Sequence, residues 1–274
     1  MSGFTAEKEG LARPADIRCL TGGGLKFMGV VLMVFDHLHQ MFFMFGVPDW
    51  FTWIGRLVAP LFLFMCAEGF HYTRNRKRYM LLLFAGFEFM NLASHALRSA
   101  LPNEEVMLIN NIFGTLFLCA FYMWMVDMLR AGIRERKPAK VALAAGLTLL
   151  SLLIGIGGLA LLTSPAFFES PYAGLLFLLI NMIPNVFLTE GGFALVLLGV
   201  LFYVCREKRL LQVLALVAIG LLTLLGGGVQ WMMIFAAVPI LLYNGARGRG
   251  NKYFFYVFYP AHIYIFYTIT SLIG

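Results

Sequence analysis

Charge is scarce in this sequence. Only 13% of its 274 residues are Asp, Glu, Lys or Arg, against 61% hydrophobic residues, and the mean hydropathy is +0.82. A soluble domain of this length carries about twice that share of charge, so the composition points to a polytopic membrane protein. Cysteine is scarce as well. Cys19, Cys66, Cys119 and Cys205 fall in or beside apolar segments without a CxxC pair. That pattern suggests neither a disulfide frame nor a zinc site, and the four read as packing residues. The first 24 residues lack an apolar core, since Glu7, Lys8, Glu9, Arg13, Asp16 and Arg18 occupy them. No cleavable signal is therefore expected, and the first apolar helix must do the targeting. No internal repeat is evident, which weakens an inverted-repeat transporter reading.

Long apolar runs are what the sequence has instead. A spanning helix needs about 20 apolar residues, and candidates fall at 25–45, 51–72, 79–98, 107–129, 141–162, 210–226, 228–243 and 253–273. The region 172–205 holds two further runs, 172–188 and 189–205, with Asn181, Pro184, Asn185, Glu190 and a glycine pair near their junction. Basic residues choose between nine and ten crossings, because Lys and Arg in short loops mark the cytoplasmic side. With the N-terminus inside and 172–188 treated as a re-entrant or broken segment, 19 of the 21 basic residues face the cytoplasm. Ten crossings would put the last two clusters on the wrong face. The expectation is thus an all-α transmembrane bundle of about nine full spans, with a cytoplasmic tail (1–24) and one transmembrane domain (25–274). The same bias accounts for most of the net charge of +7, and nothing supports nucleic-acid binding.

Inside this apolar chain lies a set of ionisable groups that each demand a partner, a wet cavity or a function. The first span carries Asp36, His37, His39 and Gln40 in "MVFDHLHQM"; the second carries Arg56, Glu68 and His71; the third carries Glu88, Asn91 and His95; the last carries His262 after Tyr259 and Pro260. At about 1.5 Å of rise per residue, His37, Glu88, His262 and Arg56 reach similar depths near the middle of the bilayer. Two roles are open for Asp36 and His37: a polar contact that glues helices together, or a base near neutral pH. A guanidinium cannot discharge itself, so Arg56 must face a carboxylate, a helix C-terminus or an anionic ligand. The aromatic runs "FFMF" and "YFFYVFYP" read as interfacial belts and packing surfaces.

The runs "LKFMGVVLMVFDHLHQ", "IGRLVAPLFLFMCAEGFHYTRNRKRY", "INNIFGTLF", "EGGFALVLLGVLFY" and "FYVFYPAHIYIFY" resemble, in order and spacing, the TraX family. That family is associated with acetylation of the pilin N-terminus and looks related to the membrane acyltransferase family 3 superfamily. The resemblance implies an acetyltransferase of the bacterial cytoplasmic membrane. Acetyl-CoA would be the acyl donor, no metal or haem would take part, and the acceptor would be a protein, peptide, glycan or lipid among membrane lipids. By position it makes His37 the candidate base beside Asp36, with Arg56 as a third catalytic residue. It places Glu68, Glu88, Asn111, Tyr259 and His262 around the substrate, and Arg74, Arg76 and Arg78 at the CoA phosphates. Leu82 and Met90 stand where the family tends to have Arg and Pro, and His39 stands where a small residue is usual, so either imidazole remains a candidate base. A proton-coupled transporter built on the same groups is the alternative. A b-type cytochrome is disfavoured because the histidines show no evident pairing across two helices at matching depth.

Overall fold

The computed structural model describes residues 18–249 and 252–273. The expected cytoplasmic tail therefore lies almost wholly outside the described residues. Helix α1 (Gly22–Phe42) is capped by Thr21, whose Oγ1 accepts the Gly24 amide at 3.2 Å, and it ends in a 3-10 turn, Phe43–Phe45. The second run folds as two pieces, α2 (Trp50–Gly55) and α3 (Val58–Tyr72), which together extend over 23 residues. Pro60 has no N–H for the Arg56 carbonyl, and that missing rung explains the break. Helix α4 (Arg76–Ala100) is capped by Asn75, α5 (Ile112–Arg134) comes next, and α6 (Pro138–Leu162) starts on a proline, where the missing amide costs nothing. In the turn between α5 and α6, Lys137 and Lys140 pair with Glu135 and hold its carboxyl below the usual range.

Beyond α6 the helices shorten. They are α7 (Pro165–Phe168), α8 (Ala173–Asn181), α9 (Gly192–Val204), α10 (Arg209–Leu224), a 3-10 stretch (Val229–Ala236) running into α11 (Ala237–Leu241), and α12 (Lys252–Ile273) with Pro260 inside it. Among the described residues five helical units are long and apolar enough to cross a membrane, where about nine full spans are expected from the sequence. The apolar runs at 189–205, 210–226 and 228–243 yield only 13, 16 and 13 helical residues. Gly191 and Gly192 at positive φ, the Arg206–Arg209 charges and the Gly226–Gly228 run cut them short. The 172–188 segment gives a nine-residue helix followed by a turn through Pro184.

The chain is a multi-pass, all-helical membrane protein, with no strand among the described residues. Its basic segments meet at one end. The amides of Leu20, Gly22 and Gly23 bond the carbonyls of Leu242, Ala246 and Arg247 at 2.8–2.9 Å, which joins the start of α1 to the segment after α11. At the same end Arg76 pairs with Asp127 of α5 at 2.7 Å, Tyr203 of α9 donates to Asp127 at 2.6 Å, and Arg209 lies over the rings of Phe64 and Tyr243. Helix α6 is the outlier: only 6% of its spanning window is covered by the rest of the chain, as suits an apolar helix bathed in lipid.

The α9–α10 corner hangs on one buried amide. Gln212 is fully buried; it donates to the Phe202 carbonyl at 2.6 Å and accepts from Arg209 at 2.8 Å. Leaving that carbonyl unpaired costs about 1–3 kcal/mol. Gln212→Leu should lower the melting temperature in detergent by several degrees, measured by thermal unfolding, without altering the central cavity enclosed by α1 and α12.

Candidate active site

Helices α1, α3, α4, α5 and α12 enclose a cavity of about 850 Å³. One stripe of α1 supplies its wall: Lys26, Val30, Met33, His37 and Gln40 recur at spacings of three and four and so share a helical face. Beside them α12 contributes Phe255, Tyr256, Phe258 and Tyr259, so the "YFFYVFYP" run lines the cavity as well as packing. At the basic end the mouth carries Lys26, Arg74, Asn75 and Arg78. Lys26 and His37 stand three helical turns apart, roughly 16 Å.

His37 is 3% exposed, and its Nδ1 sits 2.7 Å from Nε2 of His262. His37 and His262, set at similar depth by the sequence, thus pair across α1 and α12. His262 Nδ1 lies 2.7 Å from the Phe258 carbonyl, which can only accept, so His262 is protonated on Nδ1. A neutral His262 then offers the Nε2 lone pair, and His37 must donate to it from Nδ1. That assignment leaves His37 Nε2 unprotonated, with the Asn110 side-chain amide 3.4 Å away. That lone pair of His37 accepts from the Asn110 amide at the cavity wall, and a second imidazole behind the His37 ring fixes the tautomer. The nitrogens are too close for a shared metal, since two imidazoles across one ion need about 2.0–2.1 Å each. The His39 ring is held by Asp49 at 3.0 Å and Thr52 at 2.9 Å, off the cavity wall.

Asp36 and Arg56 pair at 2.5 Å on the same wall. Arg56 also donates to the Thr52 carbonyl at 3.2 Å and to Gln230 Oε1 at 3.3 Å, so the break between α2 and α3 turns its guanidinium inward. Gly55 makes this approach possible, because a Cβ there would overlap the Asp36 carboxylate. Gln40 and Asn110 exchange two amide hydrogen bonds of 3.0 and 2.9 Å beside His37.

Several of the residues singled out from sequence lie off the cavity wall. Glu68 is buried at the basic end, near Tyr243 and Arg209. Glu88 is off the α4 stripe of Arg78, Tyr79, Leu82 and Leu83, and its oxygens have no hydrogen-bond partner among the described residues. Arg76 is consumed by Asp127 and the Phe70 ring. Asn111 is a fastener: its side chain donates to Phe87 and Asn91, and its amide donates to Glu190 Oε2 at 3.0 Å. His262 stands behind His37 rather than on the wall. Asp36, His37, Arg56, Tyr259, Arg74 and Arg78 do line the cavity.

Glu190, Gln40, Asn110, Gln230 and Lys26 also line it, although sequence reasoning leaves them outside the site. The available signal was the "EGG" turn: Gly191 and Gly192 at φ 73° and 57° swing Glu190 into the bundle. Tyr259 donates to Glu190 Oε2 at 3.3 Å while accepting the Ile112 amide at 3.0 Å, and Thr115 donates to the Glu190 carbonyl at 2.7 Å.

The family model described as TraX protein matches residues 21–270. The chain is also similar to the probable fimbrial assembly protein FimC, serogroup H1, of Dichelobacter nodosus, at 27% identity over 256 residues, covering 87% of this chain and 91% of that protein. No solved structure matches.

Removing one partner of the Asp36–Arg56 pair leaves a shielded charge unbalanced. Asp36→Asn and Arg56→Gln should each lower detergent stability, and the double variant should lose less than their sum. A coupling of about 0.5–3 kcal/mol is expected from a double-mutant thermal series.

Proposed function

The chain belongs to the TraX family, and from that premise and the cavity's geometry we propose that it is a membrane acetyltransferase in which His37 acts as base. The observation that carries the proposal is the unprotonated His37 Nε2 on the wall of a cavity whose mouth is cationic. Lys26, Arg74 and Arg78 hold the phosphates of acetyl-CoA, with Arg forks suited to phosphate oxygens. The roughly 16 Å between Lys26 and His37 is spanned by the donor's extended arm, which brings the thioester to the imidazole.

His37 Nε2 takes the proton of an acceptor amine or hydroxyl while the acceptor lone pair attacks the thioester carbonyl. A C–N or C–O bond forms and the C–S bond breaks. The departing thiolate leaves as the thiol with the proton that His37 held. His262 steadies the imidazolium formed in between, because the hydrogen bond from Nδ1 strengthens when the ring becomes a cation. Arg56 is the donor on hand for negative charge developing on the carbonyl oxygen.

In this reading the basic end is cytoplasmic, the three shorter apolar helices and α12 complete about nine passes, and the membrane is the bacterial inner membrane. The acceptor is presented from within or across the bilayer. A pilin-like N-terminus suits a family model for TraX protein and a relative whose name denotes fimbrial assembly.

His37→Ala should lower acetyl-CoA turnover by the purified protein 10²–10⁴-fold, read as thiol release. His262→Ala should show a smaller loss, and His39→Ala should stay near wild type. Wild-type-like turnover by His37→Ala would remove the imidazole from the mechanism. Acetyl-CoA should also raise the melting temperature of the wild-type protein, and the Arg74→Ala/Arg78→Ala pair should weaken that stabilisation. Flux driven by a pH gradient, without thioester cleavage, would assign the same groups to a proton-coupled carrier.

A further inference from the structure

Glu190 is a carboxylate on the cavity wall with no cation paired to it among the described residues. Both groups that hold its Oε2, the Asn111 amide and the Tyr259 hydroxyl, are neutral donors. The nearby guanidinium of Arg56 is already engaged by Asp36 at 2.5 Å, and Lys26 sits at the mouth over the Phe255 ring. Oε1 takes part in no hydrogen bond among the described residues, yet it is not among the buried polar atoms shut away from the cavity. The chain has gone to some length to place this group. Two glycines at positive φ turn it inward, a Cβ on Gly191 would overlap Leu195, and Thr115 pins the Glu190 carbonyl.

A carboxylate shielded from bulk water and supplied with hydrogen bonds on one oxygen only is poised for a cation on the other. The inner part of the cavity holds two carboxylates, Asp36 and Glu190, against the one guanidinium of Arg56. A guest carrying one positive charge balances it. The wall around Glu190 is built for a modest apolar body as well: Ile109, Ile112, Phe113 and Leu195 line the same space.

We infer that Glu190 is the recognition residue for a primary ammonium group next to an apolar side chain, and so selects an amine over a hydroxyl acceptor. This deepens the acetyltransferase reading and rests on it only for the chemistry after binding. Once bound, the ammonium releases one proton to solvent, and the neutral amine then attacks the thioester carbonyl as His37 Nε2 takes its second proton.

The probes are phenylalaninamide and its hydroxyl counterpart, phenyllactamide, which share shape and differ in charge. Binding is measured on the full-length protein in detergent without acetyl-CoA, and turnover is measured separately with it. Phenylalaninamide should bind wild type at least tenfold more tightly than phenyllactamide, and Glu190→Gln should erase that preference while leaving acetyl-CoA stabilisation unchanged. Glu190→Asp should restore part of it. Equal binding of the two probes by wild type overturns the inference without recourse to any variant, and so does a preference that survives Glu190→Gln. A charge preference that depends on Glu190, in a protein that never cleaves acetyl-CoA, supports this subsite and defeats the acetyltransferase. Acetyl-CoA turnover with no charge preference does the reverse.

Discussion

The hydrogen bond between His37 and His262 sets the arrangement around it. It joins the first long helix to the last, beside a cavity lined by residues of α3, α4 and α5 as well. Neither imidazole can be satisfied alone: His262 spends Nδ1 on the carbonyl one turn back, and His37 spends Nδ1 on His262. In an apolar bundle an unpaired imidazole nitrogen is costly, so the pair fixes how α1 and α12 meet. The Phe258–His262–Phe266 rings pack around the same joint and give the orientation little freedom. What remains is the His37 Nε2 lone pair, which accepts from the Asn110 amide on the cavity wall.

A second set of contacts is governed by the same rule that buried polarity must be answered. Arg56 is met by Asp36, Gln230 and the Thr52 carbonyl; Glu190 is met by Asn111 and Tyr259; Gln40 is met by Asn110. Most of these contacts join segments distant in sequence, and the two charged groups need a local device to bring the side chain inward. For Arg56 the device is the helix break above Pro60, with Gly55 leaving room for Asp36. For Glu190 it is the positive-φ glycine pair. Tyr259 belongs to both sets, since its ring neighbours His37 at 6.2 Å and its hydroxyl reaches Glu190.

Much of this was legible in one dimension because helical phase is local. The α1 stripe from Lys26 to Gln40 follows from spacing, and so do the apolar runs, the ionisable groups within them and the basic segments that gather at one end. Phase between helices is not local. Glu68, Glu88 and Arg76 carry the same kind of charge as Asp36, Glu190 and Arg56, yet their positions relative to the cavity depend on rotations set by packing. Asp127, which captures Arg76, lies 51 residues further along, and nothing near either residue announces the pairing. Element length failed for a related reason. Apolar runs long enough to span were cut by glycines at 191–192 and 226–228, whose backbone freedom only matters once a turn is wanted there. Depth placed His37 and His262 together with Glu88 and Arg56, but it could not say which of the four would touch.

Charge sorts along the cavity, and that sorting bears on how two substrates of opposite sign can share one space. Lys26, Arg74 and Arg78 stand at the mouth, while Asp36 and Glu190 outnumber Arg56 further in. In a low-dielectric enclosure such a separation acts on any entering group before contact is made. In the proposed reading a polyanion is held at the mouth and repelled from the inner wall, so only its uncharged acyl end gains by going deeper. In the same reading a cation experiences the opposite gradient and is drawn to the inner carboxylates. In the proposed reaction the two meet at the His37 imidazole, which is where a proton must change hands if a thioester and an amine are to react. Reversing either end would bring like charges together at His37, so the order of charges along the wall is itself part of what the site selects.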